Sequence, residues 1–264
     1  MAEEVVLYEV SERIATVTLN RPEKRNALNS DVLRLLPQLL ARADKDDAVD
    51  VVILTGADPA FSAGLDLKQL GDTGDNLRGT GADGAPNATG VRGPFPTMTK
   101  PLIGAVNGVS VTGGFELALN CDFLVASENA KFGDTHSRVG VMPGWGLTVL
   151  LPQAIGVRRA KEMSLTGNFM GAEEALAFGL VNHVVPHADL MKEARRWADD
   201  ILACSPMSVR ATKQVVMRSL DVPALEVATH NLHYPAFVAM TKSEDTVEGP
   251  RAFAEKRKPN WKGR

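Results

Sequence analysis

Two uncharged runs, VVILTG (Val51–Gly56) and LIGAVNGVSV (Leu102–Val111), constrain this chain most. Neither alternates polar with apolar residues, so each is expected to be a strand covered on both faces, the situation of a parallel sheet inside helices. Parallel neighbours cannot be joined by a two-residue turn and need a crossover, usually a helix. The sequence supplies it: FSAGLDLKQL follows the first run, and TGGFELALN follows the second. CDFLVASENAKFGD then returns as a strand and a turn. Strand, glycine-bearing turn and helix recur three or four times at roughly 45-residue spacing, which predicts α/β units stacked in succession.

The remaining segments fit around that core. EVVLYEV and RIATVTLN are β-rich and predict a hairpin or two adjacent strands. Asn29 or Ser30 caps a helix with Leu33, Leu36 and Leu40 on one face. Pro37 is expected to kink that helix or stop it early. The stretch from Gly71 to Pro94 is too rich in Gly, Asp and Asn to bury a core and reads as a mobile loop. Beyond about residue 156 the segments VRRAKEMSLTG, AEEALAFG, DLMKEARRWADDILA, PMSVRATKQVVMRSL and PALEVATHNLHYPAFVAM read as helices, giving a helical region appended to the α/β core.

Composition excludes more than it identifies. A chain of 264 residues buries a substantial core without disulfides or a metal. A net charge of −3 gives no global attraction to nucleic acid or an anionic membrane. Its 2 cysteines, Cys121 and Cys204, form no disulfide framework, and Cys121 reads as a small core residue. The acidic start and the lack of a long apolar run predict a cytoplasmic protein without a membrane span.

Chemistry concentrates in SVTGGFELALNCD. A Glu near the start of a helix is favoured by the backbone dipole, so Glu116 could be a cap. Three features favour chemistry instead. Gly113 and Gly114 allow close backbone approach and leave unpaired N–H donors, the means of holding a developing negative charge. Phe115, Leu117 and Leu119 leave Glu116 little polar company, and burial raises a carboxyl pKa toward a useful range. The segment lacks the lysine of a phosphate loop and contains no GxGxxG. AFSAGLDLKQL offers a second glycine-led turn at Gly64. Two such turns after parallel strands should lie side by side at the carboxyl ends of the sheet, each giving one N–H to a two-donor oxyanion hole.

RPEKRNALN, AFSAGLDLKQL, NGVSVTGGFELALNCD, KFGDTHSRVGVMPGWG and AFAEKRKPNWKG, in this order, resemble the crotonase, or enoyl-CoA hydratase, family from about residue 12 to 262. The resemblance implies a ClpP/crotonase-like α/β spiral of repeated ββα units. It also implies a division into a spiral core over 1–200, carrying a CoA thioester site, and a helical oligomerisation region over 201–264. The family assembles as a trimer or as a dimer of trimers. By resemblance the oxyanion donors are the backbone N–H groups of Leu65 and Gly113. Arg25, Ala27, Ala63, Asp66 and Leu67 would line the path of the CoA adenine and pantetheine. Phe253 and Lys256, in a tail that otherwise reads as a solvated basic end, would approach the CoA of the same or an adjacent subunit. Coenzyme A enters as part of the substrate, and no other cofactor, metal, nucleic-acid or membrane partner is implied.

Family hydratases hold the added water between two glutamates. Glu116 matches the first, and the second position is His136. An ordinary imidazole, with a pKa near 6.5, is protonated to roughly a quarter at pH 7, and a carboxylate beside it increases that share. Asp134 would share a face with His136 if FGDTH were extended. The expected chemistry is hydration of a 2-enoyl-CoA, with Glu116 deprotonating water and His136 or a bound water protonating the enolate. Isomerisation, decarboxylation and thioester hydrolysis use the same hole and stay open, as does non-catalytic acyl-CoA binding. Trp145 either walls the acyl pocket or packs in the core. His183 and His187 fall in a strand or turn, and His230 and His233, three apart on an expected helix, lack an obvious third metal ligand.

Overall fold

The computed structural model describes residues 4–73, 76, 93–218 and 234–264. Its first compact unit, residues 1–98 and 102–196, contains two sheets. The hairpin is present as β1 (Val6–Ser11) and β2 (Ile14–Leu19), paired antiparallel. Next to it, in parallel, run β3 (Val51–Gly56), β5 (Leu102–Val106), β7 (Phe123–Ser127) and β10 (His183–Val185), in the order β1-β2-β3-β5-β7-β10. Every residue of β3 and β5 is buried, as their unbroken apolar character requires.

The second sheet corrects the reading of LIGAVNGVSV as one strand. At Asn107 and Gly108 the chain leaves the first sheet and enters β6 (Val109–Val111), which pairs with β4 (Ala60–Ser62) on one side and β8 (Lys131–Gly133) on the other. An antiparallel β9 (Phe169–Gly171) completes the order β4-β6-β8-β9. The strand pairs β3/β4, β5/β6 and β7/β8 therefore step together across both sheets, the advance of a ββα spiral. They begin at Val51, Leu102 and Phe123, so the spacing is uneven rather than constant.

Gly108 explains one corner: a Cβ there would lie 2.4 Å from the Pro59 carbonyl oxygen, so only glycine lets the neighbouring turn pass. A polar row ties the same corners together. Asn107 Nδ2 donates to Asp58 Oδ1 at 2.9 Å, and His187 sits between Asp58 (3.1 Å) and Ser127 (3.0 Å). Ser127 is fully buried, so this Ser–His–Asp row has no room for an acyl group and acts as a clasp.

Helix α1 (Ser30–Lys45) is capped by Asn29, whose side chain accepts the Val32 N–H, and Leu36 and Leu40 are completely buried. It runs through Pro37, so of the kink or early stop expected there the early stop does not occur. One missing N–H is tolerated because the buried face continues on both sides of it. Short α2 (Leu67–Asp72) and α3 (Gly113–Leu119) follow β4 and β6. Then come α4 (Leu147–Ile155), α5 (Val157–Thr166) and α6 (Ala172–Ala177). The second half of the chain is thus less purely helical than expected, since β9 interrupts it, while β10 falls where His183 was expected in a strand or turn.

Helix α7 (Leu190–Leu202) crosses from the first unit into the second, which comprises Thr99–Pro101 and Trp197–Arg264. The second unit contains α8 (Pro206–Arg218), α9 (Pro235–Lys242) and α10 (Asp245–Ala254). Buried Asp245 pins the tail there, accepting from Ser205 Oγ at 3.0 Å and Lys262 N at 2.7 Å. Most of the Gly71–Pro94 stretch, and His230 and His233, lie outside the described residues, although Gly71 and Asp72 belong to α2. Among the described residues no helix is long and apolar enough to cross a membrane.

Candidate active site

The site is built on the two glycine-led turns. Strand β6 ends at Val111, and Thr112 adopts φ 48°, ψ −123° before α3 starts at Gly113. That conformation is rare for a β-branched residue and marks a backbone held by its surroundings. The surroundings are the other turn. Gly64 has φ +82°, and a Cβ on it would fall 1.7 Å from Thr112 Oγ1. A Cβ on Gly114 would fall 2.3 Å from the Ser62 carbonyl oxygen. The two turns are in backbone contact, and glycine is what allows it.

Residues 25–28 support the first turn from its other side. Ala63 N donates to Arg25 O (2.9 Å), Leu28 N to Gly64 O (2.8 Å) and Asp66 N to Leu28 O (3.0 Å). In this parallel bridge Leu28 uses the groups flanking Leu65, so the Leu65 N–H itself points away from Leu28. Among the described residues neither the Leu65 N–H nor the Gly113 N–H donates a hydrogen bond. Arg25, Ala27, Ala63 and Asp66 are thereby brought onto two adjoining segments. Leu67 follows at the start of α2, 56% exposed. Asp66 is already occupied: it caps α2 by accepting the Gln69 N–H and pairs with Arg21 at 3.1 Å. Burial pushes its carboxyl up, but the hydrogen bonds from Arg21, Gln69 and Lys68 together with the Arg21 charge outweigh that and hold it below the ordinary range.

Sequence reasoning missed the residue that organises this turn. Asn26 is buried with φ 55°, accepts the Arg21 N–H (2.8 Å) and donates to Ala57 O (2.7 Å) and Ala60 O (2.6 Å). Asn is the non-glycine residue best suited to that φ, which was the available signal. Asn26→Ala leaves buried backbone groups without partners and is expected to cost about 3 kcal/mol of unfolding free energy by denaturant titration. A loss below about 0.5 kcal/mol would contradict the role.

The two oxygens of Glu116 have different surroundings. The residue is only 2% exposed. Oε1 accepts the backbone N–H of Trp145 (2.6 Å) and of Leu147 (3.3 Å). Glu116 therefore caps the N-terminus of α4, not of its own helix. Asn120, one turn on, also grips that loop by donating to Trp145 O at 3.0 Å. Oε2 faces His136 Nε2 at 3.7 Å. Burial pushes the Glu116 carboxyl above its ordinary value, although the hydrogen bonds from Trp145 and Leu147 and the charge of His136 partly oppose it.

His136 is 6% exposed and opens a short 3-10 turn, His136–Val139. The segment before it is not extended: Thr135 has φ −98°, ψ 14°. Asp134 nevertheless reaches the ring, because the turn folds His136 back onto it. Asp134 Oδ1 accepts from His136 Nδ1 at 2.6 Å and from the His136 backbone N at 3.3 Å. Trp145 is 3% exposed, and its ring covers Gly113, where a Cβ would meet the indole at 2.9 Å. It both packs in the core and stands beside a candidate oxyanion donor. In the second unit, Phe253 on α10 is 88% exposed, and Lys256, just past that helix, has φ 53°. No group of three or more His, Cys, Asp or Glu able to hold a metal occurs among the described residues.

The family model for enoyl-CoA hydratase/isomerase matches residues 9–264. The (E)-benzylidenesuccinyl-CoA hydratase of Thauera aromatica is 40% identical over 262 residues, covering 98% of this chain and 99% of that protein. The carnitinyl-CoA dehydratase of Escherichia coli K12 is 38% identical, with 95% of each chain covered. The crystal structure of an enoyl-CoA hydratase from Bacillus anthracis superposes with a TM-score of 0.90 at 32% identity, over 99% of this chain and 100% of that one. The likeness runs over the whole length, in sequence and in fold, and the chain belongs to the enoyl-CoA hydratase/isomerase family.

Proposed function

We propose that this enzyme adds water to a 2-enoyl-CoA thioester, with Glu116 as the base and His136 as the acid. The observation that carries the assignment is the pair Glu116 Oε2 and His136 Nε2, both buried, 3.7 Å apart and within reach of one water molecule. The thioester oxygen lies between the N–H groups of Leu65 and Gly113. Glu116 takes a proton from water as its oxygen bonds to the β-carbon, and the electron pair of the double bond moves onto the thioester oxygen as an enolate. Each of the two N–H donors contributes about 2.7–4 kcal/mol to stabilising that charge. The α-carbon then takes the proton from His136 Nε2. One proton now sits on Glu116 and one is missing from His136, and transfer between the two facing atoms restores the starting state without solvent access.

Arg25, Ala27, Ala63, Asp66 and Leu67 line the CoA path in this reading. Asp66 contributes shape rather than a free carboxylate, since Arg21 holds it. The exposed ring of Phe253 and the charge of Lys256 meet the CoA of the same or an adjacent subunit in a trimer or a dimer of trimers, Lys256 at a phosphate. The reaction as written balances without any cofactor beyond the coenzyme A of the substrate, and the enzyme works in the cytoplasm.

The test is a panel of CoA thioesters, including crotonyl-CoA, incubated with the enzyme and analysed by mass spectrometry. Gain of one water by at least one 2-enoyl-CoA, with loss of its enoyl absorbance, is the expected result. Isomerised or hydrolysed thioesters with no hydrated product, or binding without turnover across the panel, would overturn the assignment.

A further inference from the structure

We propose that Asp134 is a positioning residue that holds His136 with its proton on Nδ1, leaving Nε2 as the one ring atom that passes a proton to the substrate. This rests on the hydration reading, but its geometry stands apart from it. Asp134 directly follows β8 and is 1% exposed. Its Oδ1 meets two groups of the same residue, the His136 Nδ1 at 2.6 Å and the His136 backbone N–H at 3.3 Å, so the residue is held once by its ring and once by its backbone. An ionised carboxylate has no hydrogen to give, so the ring nitrogen facing it must carry one.

Asp134 does stay ionised. Burial alone would push its carboxyl up, but hydrogen bonds from His136 and from the Ser164 hydroxyl of α5 outweigh it and bring it below the ordinary range. Glu116, with burial the dominant influence, is displaced the other way. The two carboxyl groups flanking one imidazole thus have opposite proton affinities, the arrangement that separates a permanent anion from a working base. Because Oε1 of Glu116 is held by Trp145 and Leu147, proton traffic narrows to a single pair of atoms, Oε2 and Nε2. A carboxylate behind a functional histidine has this effect in other settings, where it selects the tautomer and the ring orientation.

The competing role is purely structural. The bond to the His136 backbone N–H closes the corner after β8, and on that account Asp134 would matter only for stability. Asp134→Asn separates the two. It is isosteric and can still accept the backbone N–H, but it lacks the charge and can turn an NH2 toward Nδ1. The expected result is a fall in kcat for hydration of about 10- to 100-fold, with KM within about twofold and a melting temperature close to that of the parent. The 15N resonances of the His136 ring, read on histidine-labelled protein with the ring neutral, show the proton on Nδ1 in the parent and a mixed or reversed tautomer in the variant. Ser164→Ala, which keeps Asp134, lowers kcat by a smaller factor. A parent protein with bare Nδ1, or an Asp134→Asn variant with unchanged kcat and unchanged ring signals, overturns the proposal. If the variant does not fold, the spectrum of the parent alone decides it. Should the parent hydrate no enoyl-CoA, the hydration reading falls, while the ring spectrum still reports whether Asp134 fixes the tautomer.

Discussion

Glu116→Gln slows hydration of 2-enoyl-CoA, with an expected loss in kcat of about 10²–10⁴-fold, yet the folded protein gains stability at pH 8. Both effects come from one burial. The side chain is 2% exposed, and burial, its largest influence, raises its pKa above the ordinary value of 4.5. Ionising it therefore costs more in the folded chain than in the unfolded one. The stability associated with the neutral form is fully present below the ordinary carboxylate range and is lost as pH rises through the raised folded value. A glutamine cannot ionise, keeps an oxygen for the N–H groups of Trp145 and Leu147, and escapes that loss. The melting temperatures of the two proteins should coincide near pH 4 and separate by pH 8, with the variant higher. An active variant would remove Glu116 from the chemistry. A variant less stable at pH 8 than at pH 4, relative to the parent, would show that capping α4 needs the charge.

How much of this was legible in the sequence depends on whether local chemistry or tertiary contact decides a feature. The buried parallel strands were legible because an unbroken run such as Val51–Leu54 has no polar face to offer solvent. The glycine pair and Glu116 were legible because an acid among Phe115, Leu117 and Leu119 demands a reason. The break at Asn107 and Gly108 was not, since the apolar run continues on both sides and only the crowding at the Pro59 carbonyl shows that the chain changes sheet. Asp134 and His136 were paired on the expectation of an extended segment. The structure pairs them through a turn instead, because the Asp134 side chain bonds the backbone two residues on, a local alternative that competes with a strand. Asn26 went unremarked within a quoted motif, its three bonds all made to backbone that only folding brings near.

Gly64→Ala should be the most damaging single methyl group in the site. The added carbon would stand 1.7 Å from Thr112 Oγ1 and 2.9 Å from the Val111 carbonyl oxygen, at a backbone φ of +82° that alanine adopts only under strain. Neither contact can be relieved locally. Thr112 is itself held at φ 48° between β6 and α3, and Leu28 N–H is bonded to Gly64 O at 2.8 Å, so the turn cannot retreat toward residue 28 without breaking that bond. The relief available is for the two turns to separate, which moves the Leu65 N–H relative to the Gly113 N–H and removes one donor from the enolate oxygen. Loss of one such donor lowers kcat by about 10²–10³-fold. Binding of a non-reactive acyl-CoA, measured by calorimetry, should weaken far less, because the CoA path proposed along residues 25–27 does not depend on where the oxyanion sits. Pairing the substitution with Thr112→Ala removes the nearest clash and should recover part of the lost rate, whereas a rate that does not respond would mean that the strain of alanine at Gly64, and not the spacing of the two turns, governs the loss. Full activity in Gly64→Ala would show that the contact between these turns does not set the position of the oxyanion donors.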